Sequence, residues 1–316
     1  VPEAVEWFAR RIQEYDIPSD GLVVVYDDIA YGQSLGTTAK FPRDSIAFKW
    51  KDEIRNTHLL EIEWSPSRTG LINPVAIFEP VELEGTTVSR ASVHNLSIMK
   101  ALELGIQDEI QVYKANMIIP QIAENLTRSG NVKIPETCPV CGGATHIQKA
   151  NDVETLYCTN EECQAKKLKL FTLFVSRNAL NIDGLSEATL EKFIGRGFIH
   201  EFADIFELDK HREEIVEMEG FGIKSYENLM AGIAEAQKTT QPRLLYGLGI
   251  SNVGVANAKM ICKAFQYNLG KIRSADAEEL AAVDGIGPVI GKTVAEYFAS
   301  EKNSSMLDRL LEKLEI

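Results

Sequence analysis

Nowhere among the 316 residues is there an apolar run of membrane-spanning length, and the chain opens on Val-Pro-Glu-Ala rather than on a basic and then apolar leader. A transmembrane helix and a secretory signal are therefore not expected, and a soluble, cytoplasmic chain is. Positive charge is also short, with 33 Lys and Arg against 46 Asp and Glu and a formal net charge of -13. Taken alone, that argues against a nucleic-acid partner, because phosphate binding ordinarily rests on surplus cations. Cysteine is scarce, with five in the whole chain, too few for a disulfide-stapled scaffold of this length. The length itself exceeds what one compact core takes, so a string of three or four domains is expected.

Four of the five cysteines are grouped. Cys138, Cys141, Cys158 and Cys163 form the pattern C-x2-C-x16-C-x4-C, the spacing of a tetrahedral metal site. Gly142 and Gly143 follow the first pair and supply the left-handed backbone that such a turn needs. Four thiolates leave no position for water, which indicates a structural ion, with zinc favoured over iron. Two disulfides are the alternative. Cys262 stands among apolar residues and reads as a small buried side chain.

Before the cysteines the pattern is mixed. Val5, Phe8, Ala9 and Ile12 fall at helical spacing between Val1 and Tyr15, and Pro18 closes that helix. Leu22 to Tyr26 and Ile46 to Trp50 read as short strands, the second carrying Lys49 among apolar neighbours. An ammonium there either snorkels to water or faces an anion in a pocket, and a solvent-facing lysine on an edge strand is the plainer alternative. Strands are expected at 59–64, 75–82, 86–89 and 109–113, with a helix at 97–104. That order suits a small Greek-key barrel of the OB type, a frequent nucleic-acid platform. Arg68 falls in the turn Ser67-Arg68-Thr69-Gly70, and His94-Asn95 precedes the helix at its expected cap. A solvated turn arginine and a structural histidine are the plainer readings of these two residues taken alone.

After the cysteines the chain is helical to its end. Gly220-Phe221-Gly222, Gly247-Leu248-Gly249 and Gly285-Ile286-Gly287 are each expected to precede an amphipathic helix, and Asp183-Gly184-Leu185-Ser186 is a degraded fourth copy. This is the pattern of helix-hairpin-helix repeats, in which glycines let backbone amides approach a phosphate. Lys224 and Lys292, with Lys259 for the middle copy, are placed to add phosphate contacts without reading bases. Residues 171–316 hold 16 Lys and Arg against 22 Asp and Glu, so affinity must come from amides and a few lysines. One Gly-x-Gly alone is more simply a helix C-cap, and a helical protein-interaction repeat is the competing reading of the region.

Together these residues resemble a family. The segments Ser19 to Val24, Leu35 to Arg43 and Ile46-Ala47-Phe48-Lys49-Trp50 look like the end of the adenylation domain of bacterial NAD-dependent DNA ligases. Arg68 to Pro80, Val88 to Asn95 and Ile118 to Gln121 resemble that family's OB domain, and Cys138-Pro139-Val140-Cys141-Gly142 its zinc finger. The hairpin array follows in the same order. The resemblance implies a multidomain α+β chain. Its parts would be the C-terminal part of a nucleotidyltransferase (adenylation) domain at 1–53, an OB-fold barrel at 54–126, a four-cysteine zinc finger at 127–170 and a helix-hairpin-helix domain at 171–316.

It further implies nick sealing in duplex DNA during replication and repair. A lysine takes AMP from NAD, AMP passes to the 5′-phosphate of the nick, and the 3′-hydroxyl displaces it, with magnesium or manganese present. By motif match, Lys49 is the lysine that contacts the adenylate phosphate, and Asp20 lies near the metal or phosphate. Arg68, His94, Gly220, Gly222, Lys224, Gly247, Gly249, Gly285, Gly287 and Lys292 would face DNA. NAD and zinc are the implied cofactors, nicked duplex DNA the partner, no membrane is involved, and a monomer is expected.

Two departures stand out. Where relatives carry a lysine a few residues after Asp-Gly, this chain has Val25, followed by Tyr26-Asp27-Asp28. The nucleophile motif Lys-x-Asp-Gly occurs nowhere in it. The expectation is therefore a portion of such a ligase without the nicotinamide-recognising domain or the last C-terminal domain, keeping the DNA-clamping half and unable to adenylate itself. A non-catalytic DNA-binding or scaffold protein is the alternative, and a different enzyme of the barrel-plus-zinc type the third reading.

Overall fold

In a computed structural model, residues 2–17, 19–38 and 40–316 are described, Gln13 by its backbone alone. The expected closure of the first helix at Pro18 lies outside the described residues. The chain divides into two compact units. The first takes residues up to Ser65, then Asn73–Pro135 and Ile147–Leu156; the second takes Pro66–Ile72, Glu136–His146 and Tyr157–Ile316.

The first unit begins with α1 (Pro2–Arg11), which has no buried residue and runs into a 3-10 turn at Ile12–Glu14. Strand β1 (Gly21–Val25) pairs antiparallel with β2 (Ser45–Lys49), in the register Leu22↔Phe48 and Gly21↔Lys49. Between them lies α2 (Ile29–Ser34), in a stretch that reads from sequence as a polar loop. Asp28 starts it by accepting the Tyr31 N–H on Oδ1 at 2.9 Å, an N-cap that satisfies an otherwise orphaned donor.

The barrel follows as β3 (Arg55–Pro66), β4 (Leu71–Leu83), β5 (Thr86–Ser92), α3 (Leu96–Ala101), β6 (Glu109–Ala115) and β7 (Ile119–Asn125). Period-two burial makes the strands: Ile72, Pro74, Ala76 and Phe78 point inward along β4, and Ile110 and Val112 along β6. The strand order is β7-β6-β3-β4, with β5 paired to β4. Asn95 caps α3 by accepting the Ile98 N–H at 2.9 Å, as its position ahead of the helix predicts. Beyond β4 the sheet continues through β9 (Val153–Cys158) to β8 (Thr145–Ala150). These two strands and β7 are not among the strands expected from the sequence. Asn151 and Asp152, both at positive φ, form the two-residue link of the β8–β9 hairpin.

The second unit is helical: α4 (Gln164–Val175), α5 (Glu187–Gly195), a 3-10 segment Phe202–His211, α6 (Arg212–Val216), α7 (Ile223–Ala236) and α8 (Gln241–Gly247). It continues through α9 (Val255–Ala264), α10 (Leu269–Ser274), α11 (Ala277–Ala281), α12 (Pro288–Ala299) and α13 (Glu301–Leu311). One core joins them. Phe174 stacks on Phe202 at 4.1 Å between centroids, and Leu190, Leu244, Ile261 and Leu310 are fully buried in the same cluster. Cys262 is completely buried there, and burial pushes its thiol up to about 11, so it packs as a small apolar side chain. The architecture is the multidomain α+β arrangement expected. Among the described residues no helix is long and apolar enough to cross a membrane.

Candidate functional site

The four grouped cysteines converge. Cys138, Cys141, Cys158 and Cys163 place their sulfurs within 4.8 Å of one another, and the Cys141 and Cys158 sulfurs are 3.6 Å apart. A tetrahedral ion with Zn–S bonds near 2.3 Å holds its sulfurs about 3.8 Å apart, so four thiols this close together suit a zinc ion. The local fold explains the convergence. Gly142, at φ +69, closes a turn in which its N–H donates to Cys138 O at 2.9 Å, and the Cys138 N–H donates to Gly143 O at 2.7 Å. Gly143 does not take the left-handed conformation expected of it. The second pair comes from the end of β9 and the N-terminus of α4.

The thiols are unlike one another. The Gly143 N–H and the Asn160 side chain hold Cys141 down to about 6, while burial raises Cys158 and Cys163. Buried thiols of this kind ionise only with a cation among them. No disulfide joins any of the four.

The hairpins form four times, and not all where the sequence suggests. In Met218-Glu219-Gly220-Phe221, Ile250-Ser251-Asn252-Val253 and Val283-Asp284-Gly285-Ile286 the fourth N–H donates to the first carbonyl at 2.9, 3.1 and 2.9 Å. The third residue has positive φ in each, +85, +64 and +81. These are type II turns. The next residue, Gly222, Gly254 or Gly287, caps α7, α9 or α12 in extended conformation. Gly184, at φ +90, followed by buried Leu185 and the α5 cap Ser186, is the fourth copy.

The middle hairpin is therefore Asn252-Val253-Gly254, which corrects the placement at Gly247-Leu248-Gly249. Gly247 is the last residue of α8, and a Cβ on it would stand 3.2 Å from Ala179 and 3.4 Å from Phe174. Gly249, at φ +70, follows the C-cap Leu248 and turns the chain out of that helix. The Gly-x-Gly spelling here marks a helix end packed into the core. Asparagine tolerates the left-handed region, which is why the true turn shows no glycine at that position.

Arg68 is half-buried, and its Nη1 donates to the Gly249 carbonyl at 2.6 Å within the second unit. Its guanidinium is thus engaged by backbone. Gly70 closes the same turn at φ +84, and its carbonyl accepts the Cys158 N–H at 2.8 Å; a Cβ there would meet the Cys158 carbonyl at 2.9 Å. His94 is exposed with φ +63, and its N–H donates to Ser92 Oγ at 3.1 Å. Lys224, Lys259 and Lys292 are exposed on the helices that follow the hairpins. Among the described residues only Lys292 of the three has an ion pair, to Glu296 at 3.7 Å.

In the first unit, Lys49 and Asp20 meet. The Lys49 ammonium donates to an Asp20 carboxylate oxygen, and that hydrogen bond holds the Asp20 carboxyl below its ordinary range. Both side chains are about half exposed, and they line a cavity of about 320 Å³ with Trp50, Lys51, Tyr113 and Asn116. Among the described residues the Trp50 indole N–H in this cavity wall is buried without a partner. For NAD, the residues present fit a phosphate contact at Lys49 and nothing more, since no Lys-x-Asp-Gly accompanies it.

Two domain comparisons fall on these elements. Residues 56–133, which contain the barrel strands, match the NAD-dependent DNA ligase OB-fold domain, and residues 243–307 match the helix-hairpin-helix motif. A protein named DNA ligase from Ruminiclostridium cellulolyticum is 60% identical over 316 residues, the whole of this chain. The chain is thus similar over its whole length to a portion of DNA ligases, and over its barrel to the NAD-dependent kind. A DNA ligase of Lachnoclostridium phytofermentans is 59% identical over 99% of the chain, and one of Fusobacterium nucleatum 35% over 99%. The chain spans about half the length of the relatives it matches, 48%, 48% and 45% of these three.

Proposed function

We propose that this chain is the DNA-clamping portion of an NAD-dependent DNA ligase that seals nicks in duplex DNA. The observation that carries the reading is the succession of an OB barrel, a four-thiol cluster and four hairpins along a chain that is 60% identical, over all of its own length, to about half of a DNA ligase. In this reading residues 1–53 complete an adenylation domain, 54–126 are the barrel, 127–170 the zinc finger and 171–316 the hairpin domain. NAD supplies AMP, which activates the 5′-phosphate of the nick so that the 3′-hydroxyl can displace it, with magnesium or manganese offsetting phosphate charge. Lys49 releases Asp20 and offers its ammonium to the adenylate phosphate, and Asp20 stays beside that phosphate or its metal. Zinc at the four cysteines holds a structural joint.

Backbone amides at the hairpin caps and nearby lysines contact DNA phosphates, with His94 exposed beside the barrel helix. The protein works as a cytoplasmic monomer on nicked duplex. Without a Lys-x-Asp-Gly this chain forms no enzyme-adenylate by itself. Incubated with NAD and magnesium, it should show an unchanged intact mass, and an added AMP would overturn that statement. A nicked duplex should be retained at low salt and released as salt rises. Failure to bind any duplex would overturn the clamping role.

A further inference from the structure

The four hairpins share a register that sorts them into two kinds. Five residues beyond each helix cap (Ser186, Gly222, Gly254, Gly287) stand Glu191, Glu227, Lys259 and Lys292, all exposed. Equal spacing from a cap puts these side chains at equivalent places on their helices. The hairpins also associate in order. A Cβ on Gly184 would lie 3.5 Å from Leu229 of α7, and Gly184 and Thr189 line a cavity with Gly220, Ser225 and Asn228, which joins the first two hairpins. A Cβ on Gly285 would lie 2.9 Å from Met260 Sδ of α9, which joins the last two. Carboxylates thus occupy the fifth position throughout the first pair, and ammonium groups throughout the second.

The surrounding charge follows the same division. Residues 182–236, holding the first pair, have 13 Asp and Glu against 5 Lys and Arg; residues 250–299, holding the second, have 5 against 5. A surplus of eight negative charges within a few Debye lengths repels a phosphodiester backbone, and a neutral surface with two lysines at matched positions does not. At the first hairpin the helix start is already satisfied, since the Ser186 hydroxyl accepts the Thr189 N–H at 3.2 Å. In the first pair Lys192 is engaged as well, donating to the Glu219 carbonyl at 3.2 Å. The match to the helix-hairpin-helix motif, at residues 243–307, contains the second pair and not the first.

We propose that the second hairpin pair, with Lys259 and Lys292 as its phosphate contacts, carries the DNA binding of the array, while the first pair stands off the phosphate backbone and serves the core. The proposal rests on the DNA-clamping reading above. The test is a titration of the whole chain against a fluorescent nicked duplex over a range of salt. The K259Q/K292Q variant is compared with K192Q/K224Q, and thermal melts check that each still folds. The second-pair variant should lose roughly tenfold or more in affinity, and its salt slope should be shallower by about 2. The first-pair variant should lose less, with a slope close to that of the parent chain. Equal or greater loss from the first-pair variant would overturn the proposal while leaving DNA binding intact. A parent chain that binds no duplex would overturn the clamping reading and this division with it.

Discussion

The guanidinium of Arg68 donates to the carbonyl of Gly249, 2.6 Å away and 181 residues later in the chain. The turn that carries Arg68 is tied at its other end to the thiol cluster, through the Cys158 N–H on Gly70 O at 2.8 Å. Gly249 follows the C-cap of α8, and the Asn252 hairpin begins one residue later at Ile250. A short path of hydrogen bonds therefore runs from the thiol cluster to the start of the Asn252 hairpin, and Arg68 is its middle piece.

An R68M substitution removes a charge-assisted bond to a half-buried carbonyl, which costs about 1.5–3 kcal/mol. Urea unfolding should report that loss, and duplex binding should weaken while its salt slope stays as in the parent. A slope shallower by about 1 would instead make Arg68 a direct phosphate contact, the role that the family resemblance implies for it.

Metal removal should act through the same path. Structural zinc contributes on the order of 10 kcal/mol to the fold of a small module, and here three of its four sulfurs are buried. A 1:1 zinc content by elemental analysis is expected, and a strong chelator should lower the melting temperature and the affinity for duplex together. C158S should reproduce both effects. A chain that melts identically with and without chelator would remove the structural role.

The middle hairpin supplies a test of backbone conformation. Asn252 sits at φ +64, where a β-branched side chain is strained by about 1–2 kcal/mol and glycine is not. N252G should be neutral or stabilising, N252V destabilising, and G247A destabilising for a different reason, its methyl meeting Ala179 and Phe174 in the core. Chemical denaturation of the three variants checks the order. A harmless N252V would mean that the turn lies elsewhere.

How much of the fold and the site is legible in the sequence depends on the range of the interaction. Alternating Ile72, Pro74, Ala76 and Phe78, the Asn95 cap and the cysteine spacing are local patterns, and they place the barrel, the third helix and the metal cluster. Asn252 escapes a sequence reading because its conformation is left-handed while its letter is not glycine, and Gly247-Leu248-Gly249 imitates the motif one turn too early. The bond from Arg68 to Gly249 has no local signature at all. The Lys49–Asp20 pair is intermediate: each residue is marked by its motif, and only the register Gly21↔Lys49 brings them together. The two strands after the cysteine turn have one local sign, Asn151-Asp152, which suits a tight hairpin.

Acid should loosen the last helix of the second unit first. Glu207 is contacted by Lys210 at 2.5 Å and Lys313 at 2.7 Å, with Arg309 at 3.9 Å. Hydrogen bonds from Lys210 and then Lys313 outweigh burial and hold its carboxyl at about 2, against an ordinary value of 4.5. A depressed folded-state pKa means that the carboxylate stabilises the fold fully above 4.5, and that this contribution fades as pH falls toward 2. Arg309 reinforces the clamp from α13 through Asp204 at 2.6 Å and Glu201 at 3.1 Å. Urea midpoints measured from about pH 6 to about pH 3 should therefore fall more steeply for the parent chain than for E207Q, whose neutral amide does not titrate. The two curves should converge toward about pH 2 as the parent loses the charge. Parallel curves across the range would show that Glu207 contributes no pH-dependent stability and that the α13 clamp rests on Arg309 alone.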